Sequence, residues 1–207
     1  MRRGLTLTRI LATAVSCVAI AASTVAPAIA RDVTGAGGSI VARLVVGNLN
    51  DPAGFTFLPD GRIVYLERGS GQVRIYDPST KSDHRFFTIP RVNGDGERGA
   101  LGVAASPSWP SQRTLWVYVT RTAGGSLKNQ IVKITASGGR TTMKVLLSQP
   151  ASSDPYHNGG RILFGPDGML YAIIGDGHDS TNAQTLSQGD LRGKICLLYT
   201  SPSPRDS

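Results

Sequence analysis

Cysteine is nearly absent from the chain: Cys17 and Cys196 are the only two in 207 residues, one near each end. A disulfide framework is therefore excluded for everything between them, and the body has to rest on a buried apolar core, which a chain of this size can build. Long apolar runs are missing too. The run Ile10 to Ile20 is broken by Thr13 and Ser16 and followed by Ser23, Thr24 and Pro27, short of the roughly 20 residues that a spanning helix requires. No window of the body carries a sustained 3.6-residue apolar period, so a helical bundle is excluded. No Lys/Arg block interleaves with aromatics, and no nucleic-acid site is expected. The formal net charge of +8 includes Arg2, Arg3 and Arg9 near the start; the remaining excess suits solubility and anionic surfaces. A phosphate-cradling glycine motif, a Gly-x-Ser-x-Gly elbow and a twelve-residue calcium loop are all lacking, and no metal ligand set is read from the sequence.

What is present begins with an export pattern. Three arginines, the apolar stretch and a small-residue segment ending Ala28-Ile29-Ala30 follow the order of a cleavable signal peptide. Residues 1–30 are read as that signal, which leaves no integral membrane span and places the product in the periplasm or outside the cell. Cys17 is a poor lipoprotein site, because Ala14-Val15-Ser16 precedes it and apolar sequence continues beyond it. At the other end, Gly193-Lys194-Ile195 starts a plausible strand, but the following segment to Ser207 carries Ser201, Pro202, Ser203 and Pro204, which a central strand cannot accommodate. Residues 196–207 resemble the translated read-through of a sequencing-library adaptor and are expected to be non-native; a natural disordered tail is the alternative.

Between these ends, a Gly-rich lead over 31–39 precedes short strand-like runs separated by turn chemistry. Gly54 to Leu58 meets Pro59-Asp60-Gly61, then Arg62 to Leu66, Gly69-Ser70-Gly71 and Gln72 to Tyr76. Proline presets such a turn, aspartate bonds back to it, and glycine takes the positive φ. A second unit runs through Ala100 to Ala105, Thr114 to Val119, Gln130 to Ile134 and Met143 to Leu147. A third begins with Arg161 to Phe164, Pro166-Asp167-Gly168 and Met169 to Ile174. Prolines 59, 107 and 166 mark equivalent turns, and recurrence of four short strands at roughly 40 to 50 residues is the sign of β-propeller blades. The expectation for 40–195 is an all-β chain forming about three four-stranded antiparallel blades of an expected six. An ordinary β-sandwich is the competing architecture.

His157 stands out among the polar residues. It lies between Asp154-Pro155 and Gly159-Gly160, just before an apolar strand; the glycines allow close approach of a ligand to the backbone. An imidazole with an ordinary pKa near 6.5 is suited to accept a hydroxyl proton at neutral pH. Asp176 closes the run Met169 to Ile174 after Gly175 and can either partner that imidazole or simply start a loop. Glu97 and Arg98 sit in the Gly-rich segment 93–99, as site residues or as an exposed ion pair. His84 reads as a solvated turn residue, and His178 either lines the same cleft or sits in its own loop.

Four segments resemble the glucose/sorbosone dehydrogenase family: Gly54-Phe-Thr-Phe-Leu-Pro-Asp-Gly61; Gly96-Glu-Arg-Gly-Ala-Leu-Gly102; His157-Asn-Gly-Gly-Arg-Ile-Leu-Phe-Gly-Pro-Asp-Gly168 with Ile174-Gly-Asp176; and Leu191-Arg-Gly-Lys-Ile195. The resemblance spans about residues 40 to 195 and implies a six-bladed propeller that oxidises a sugar or polyol with pyrroloquinoline quinone (PQQ) and calcium, passing electrons to an external acceptor. It implies His157 as general base, Asp176 as its partner, and Glu97 and Asn158 as substrate contacts, with the quinone-binding residues lying in a missing C-terminal half. Hydride would leave the substrate carbon for the quinone. Two departures put glucose itself in doubt: Glu97 stands where glucose-oxidising relatives carry glutamine, and a carboxylate accepts but cannot donate; Tyr156 stands where they tend to carry an acid. A non-catalytic binding propeller of the hedgehog-interacting type shares Glu97-Arg98-Gly99 and Leu101-Gly102 and is the alternative. A metal-dependent lactone hydrolase would need a ring of carboxylates that these segments lack.

Overall fold

Turn chemistry sets the frame in the computed structural model, which describes residues 31–35, 38–185 and 189–198. The signal segment 1–30 and residues 199–207 of the expected tail lie outside the described residues. The chain divides into two units after Leu44. In the first, β1 (Arg31–Gly35) pairs antiparallel with β2 (Gly38–Ala42), from Arg31 opposite Ala42 to Gly35 opposite Gly38. The Gly-rich lead over 31–39 thus carries β1 and the start of β2, and Val33, Ile40 and Val41 are β-branched residues that favour strands.

The second unit consists of three antiparallel sheets, each built by its strands in sequence order. β3 (Pro52–Phe57), β4 (Ile63–Glu67), β5 (Gln72–Asp77) and β6 (Ser82–Thr88) form the first. β7 (Ala100–Ala105), β8 (Arg113–Ala123), β9 (Ser126–Ser137) and β10 (Arg140–Pro150) form the second. The third has β11 (Gly159–Phe164), β12 (Leu170–Ile174) and β13 (Lys194–Leu198), with one short helix, α1 (Thr181–Gln184), between the last two. No helix among the described residues is long and apolar enough to cross a membrane. The expected turn at Pro59 forms as read: Gly61 takes φ +86° and donates its N–H to the Leu58 carbonyl.

The first strands of the three sheets are neighbours, β7 packing between β3 and β11. Glycine makes this approach possible. A Cβ on Gly54 would fall 2.4 Å from the Leu101 carbonyl oxygen, and one on Gly102 would fall 1.9 Å from that of Gly160, both far inside contact distance. The inner strands of the middle sheet are consequently buried on both faces, and β8 shows it in its alternation. Leu115, Val117 and Val119 enter the core shared with Leu66, Val73 and Ile75 of the first sheet. Tyr118 and its partly buried neighbour Trp116 turn to the other side, where Ile162, Leu170, Ala172 and Ile174 of the third sheet lie. The outer sheets leave apolar residues exposed: Phe55 and Phe57 on the first, Ile173 and Ile195 on the third. This layered repeat, two four-stranded antiparallel blades and a three-stranded one among the described residues, is a partial β-propeller of the all-β class expected.

Two boundaries differ from the reading of the sequence. β6 is the first: His84, expected in a solvated turn, is an exposed residue of that strand, opposite Ile75. The polar run Ser82-Asp83-His84-Arg85 hides a strand whose apolar anchors, Phe86 and Phe87, come only at its end. The second is the strand starting near Gly193, which does not stop at Ile195. Cys196, Leu197 and Leu198 continue it, paired with Ala172, Tyr171 and Leu170, because Cys196 and Leu198 supply apolar side chains to the core under β12.

Candidate active site

Antiparallel pairing brings the site together. Gly159 at the head of β11 lies opposite Ile174 at the end of β12, so the residues just before one strand and just after the other are neighbours. Gly175 fits this junction because a Cβ there would sit 1.9 Å from the His157 carbonyl oxygen. His157 Nδ1 lies 2.9 Å from Asp176 Oδ1. The hydrogen bond from His157 holds the Asp176 carboxyl below its ordinary 3.8, aided by the backbone N–H of His178. An ionised carboxylate only accepts, so Nδ1 carries the proton and the Nε2 lone pair is the basic one. No hydrogen bond to Nε2 is found among the described residues, and the side chain is half exposed, at 52%.

Glu97 is also brought to the histidine, in a role the sequence did not suggest. Its Oε2 accepts the His157 backbone N–H at 2.8 Å, while its own N–H donates to the Pro155 carbonyl at 2.9 Å. These bonds tie segment 93–99 to segment 152–158. His157 takes φ +56°, a left-handed conformation uncommon outside glycine, and the carboxylate secures the N–H that this turn presents.

Arg98 does not pair with Glu97; it is buried and donates from Nη2 to the carbonyls of Ser152 and Ser153, at 2.8 and 3.2 Å. Arg68 donates from Nη1 to the carbonyls of Gly94, Gly96 and Arg98 and pairs with Asp51. Neither arginine's role is recognisable from sequence, since their partners are backbone carbonyls that carry no residue signature.

Asn158 lies beneath the site rather than in it, and the expectation of a substrate contact is corrected. It is 1% exposed. Its Oδ1 accepts from Asn129 Nδ2 at 3.1 Å, its Nδ2 donates to the Tyr156 carbonyl, and its own carbonyl accepts the Tyr118 hydroxyl at 2.7 Å. A buried amide has to satisfy these groups internally.

His178 and Asp154 complete the cluster. The His178 ring packs against His157 with centroids 4.9 Å apart, and its Nδ1 lies 2.8 Å from Asp154 Oδ2. Tyr156 flanks His178 at 5.9 Å. Two nearby carboxylates are engaged locally, Asp95 with Asn93 and Asp179 with Thr181. No group of three or more His, Cys, Asp or Glu able to hold a metal occurs among the described residues.

A quinone bearing carboxylates calls for cationic clamps. Glu97, Asp154 and Asp176 around His157 are acidic, Arg68 and Arg98 spend donors on backbone carbonyls, and Arg192 is paired with Asp190 at 2.7 Å. The groups bonded to His157 and His178 therefore fit a proton-accepting site.

The sequence profile of the family described as Glucose / Sorbosone dehydrogenase matches residues 49–206. The PQQ-bound aldose sugar dehydrogenase of Streptomyces coelicolor is 30% identical with a TM-score of 0.68, covering 86% of this chain and 52% of that one. An oxidoreductase of Thermus thermophilus, titled a glucose dehydrogenase, is 36% identical with a TM-score of 0.67, covering 77% and 48%. Human hedgehog-interacting protein is 33% identical over 176 residues, 74% of this chain and 25% of that protein. The chain thus spans about half the length of each of these two solved structures.

Proposed function

Because the chain belongs to the glucose/sorbosone dehydrogenase family, we propose that it forms the N-terminal part of a PQQ-dependent dehydrogenase acting on an aldose or polyol, with His157 as the general base. The observation that carries this reading is the 2.9 Å contact of His157 Nδ1 with Asp176 Oδ1. It leaves Nε2 as the proton acceptor for a substrate hydroxyl. As that proton arrives, Asp176 stabilises the imidazolium, and the carboxylate partner keeps the ring in the productive tautomer. Glu97 accepts the backbone N–H of His157 and so fixes the main chain from which the base projects. Its second oxygen remains available to accept from a sugar hydroxyl.

PQQ, when bound, supplies the two-electron acceptor for this chemistry, and the protein's part is orientation and proton transfer. The PQQ-bound structural relative supports that cofactor; calcium is carried by the family resemblance alone. An external acceptor would take the electrons onward, and the arginine-led apolar start supports export to the periplasm or beyond. The test is reconstitution of the complete protein with PQQ, followed by dye reduction with a panel of aldoses and polyols.

The similarity to hedgehog-interacting protein supports a second reading, a binding propeller without catalysis. Measurable sugar-dependent turnover would exclude it. Absence of turnover together with tight binding of a protein ligand would favour it.

A further inference from the structure

Two loops meet at the candidate site, and each lends the other a carboxylate and an imidazole. Segment 152–158 carries Asp154 and His157, while segment 175–182 carries Asp176 and His178. The pairs are crossed: His157 bonds Asp176 at 2.9 Å and His178 bonds Asp154 at 2.8 Å. The two rings touch edge to face, centroids 4.9 Å apart and planes at 64°. His178 further donates its backbone N–H to Asp176 Oδ1 at 3.0 Å, the same oxygen that meets His157. Both histidines adopt left-handed backbone, φ +56° and +62°, and Gly177 between Asp176 and His178 takes φ +76°. The second loop therefore turns back on itself, laying the His178 ring beside the base.

Resting on the reading of His157 as base, we propose that His178, anchored by Asp154, is a positioning residue that keeps the His157 ring on Asp176. His157 needs such support. Its side chain is half exposed and its ring is held by a single hydrogen bond, an arrangement that leaves other rotamers and the other tautomer within reach. A ring packed against its edge blocks the swing that breaks the Asp176 contact. Asp154 is in turn steadied from below, because buried Arg98 donates to the carbonyls of Ser152 and Ser153 just before it. Support runs from Arg98 through segment 152–158 and Asp154 to His178, and from there to the base.

The charged and titratable groups around the two rings come from four segments: Glu97 from 93–99, Asp154 and Tyr156 from 152–158, Asp176 and Asp179 from 175–182, and Arg192 from 190–194, whose side chain lies against Gly177.

The test uses the complete protein, free of quinone and labelled with ¹⁵N-histidine. Long-range ¹H–¹⁵N spectra report which His157 nitrogen carries the proton. The native protein should show the Nδ1–H form, and H178A should show a substantial Nε2–H fraction. After loading with PQQ, H178A should lose about tenfold in kcat, the scale of a misplaced catalytic group, with KM within about twofold. His178→Phe keeps the ring edge and should recover most of the loss. D154A, at a largely exposed side chain, should reproduce a milder form of H178A and serves where H178A does not fold. An unchanged His157 tautomer in folded H178A or D154A would overturn the proposal, as would a shifted tautomer with native kcat. A fully active H157A would instead remove the assignment of the base, leaving the tautomer measurement to stand on its own.

Discussion

His157 and Asp176 are 19 residues apart in sequence, yet their side chains meet at 2.9 Å across the mouth of the β11–β12 hairpin. The strands place them there: one residue precedes the first strand, the other follows the second, and Gly175 lets the two backbones close. The pair is thus a product of register, and a slip by one residue would send the side chains to opposite faces.

Replacing Asp176 by Asn should lower kcat of the complete protein by roughly tenfold or more, less than loss of the base itself. The amide can still receive a hydrogen bond but brings no charge to stabilise the imidazolium. In the native protein the Asp176 carboxyl is held below 3.8 by the hydrogen bond from His157. A depressed folded value means that the stabilising contribution is fully present above the ordinary value and disappears as pH falls through the lowered one. The difference in Tm between native and D176N protein should therefore shrink as the pH is taken below 3.8 in a melting series. A difference that grows there would contradict the assignment.

Gly102→Ala tests how the inner strands meet. Its methyl would lie 1.9 Å from the Gly160 carbonyl oxygen, and backbone cannot yield as a side chain can. The expected cost is about 1–3 kcal/mol, read as a lower denaturation midpoint with an unchanged m-value. A neutral variant would show that β7 and β11 stand further apart.

Much of this arrangement was legible in the chain. The Pro-Asp-Gly turns at 59–61 and 166–168 marked hairpins, and alternating runs such as Thr114 to Val119 marked strands. His157 and Asp176 were visible because each follows or precedes an apolar run beside glycine. β6 was not visible, since an edge strand with polar Ser82 to Arg85 has no buried face to impose alternation. The roles of Arg68 and Arg98 were hidden because backbone carbonyls accept from them. Asn158 was misplaced for a related reason: its partners Asn129 and Tyr118 come from another sheet, and only tertiary packing shows that its amide is spent inside. Asp154 looked like a turn former before Pro155, and nothing local indicated that it meets His178.

Asn158→Ala should destabilise the protein by about 1–3 kcal/mol, because Asn129 Nδ2 loses an acceptor in a buried setting. The loss should show in chemical denaturation, and turnover should fall through the displaced His157 next to it. An effect on KM with no change in stability would restore Asn158 as a substrate contact.

Residues 31–195 expressed alone should self-associate. Phe55 and Phe57 are exposed on the first sheet and Ile173 and Ile195 on the third, and apolar faces of this kind seek partners. Sedimentation velocity should show polydisperse species. A monodisperse fragment that melts cooperatively and turns over sugar would contradict the reading of these sheets as part of a larger ring.

The most direct measurement is sugar-dependent dye reduction by the complete PQQ-loaded protein, comparing native enzyme with H157A at saturating quinone. The account predicts turnover for the native protein on at least one aldose or polyol and a loss of about a hundredfold or more in H157A, with quinone binding retained. Near-native turnover by H157A would contradict it.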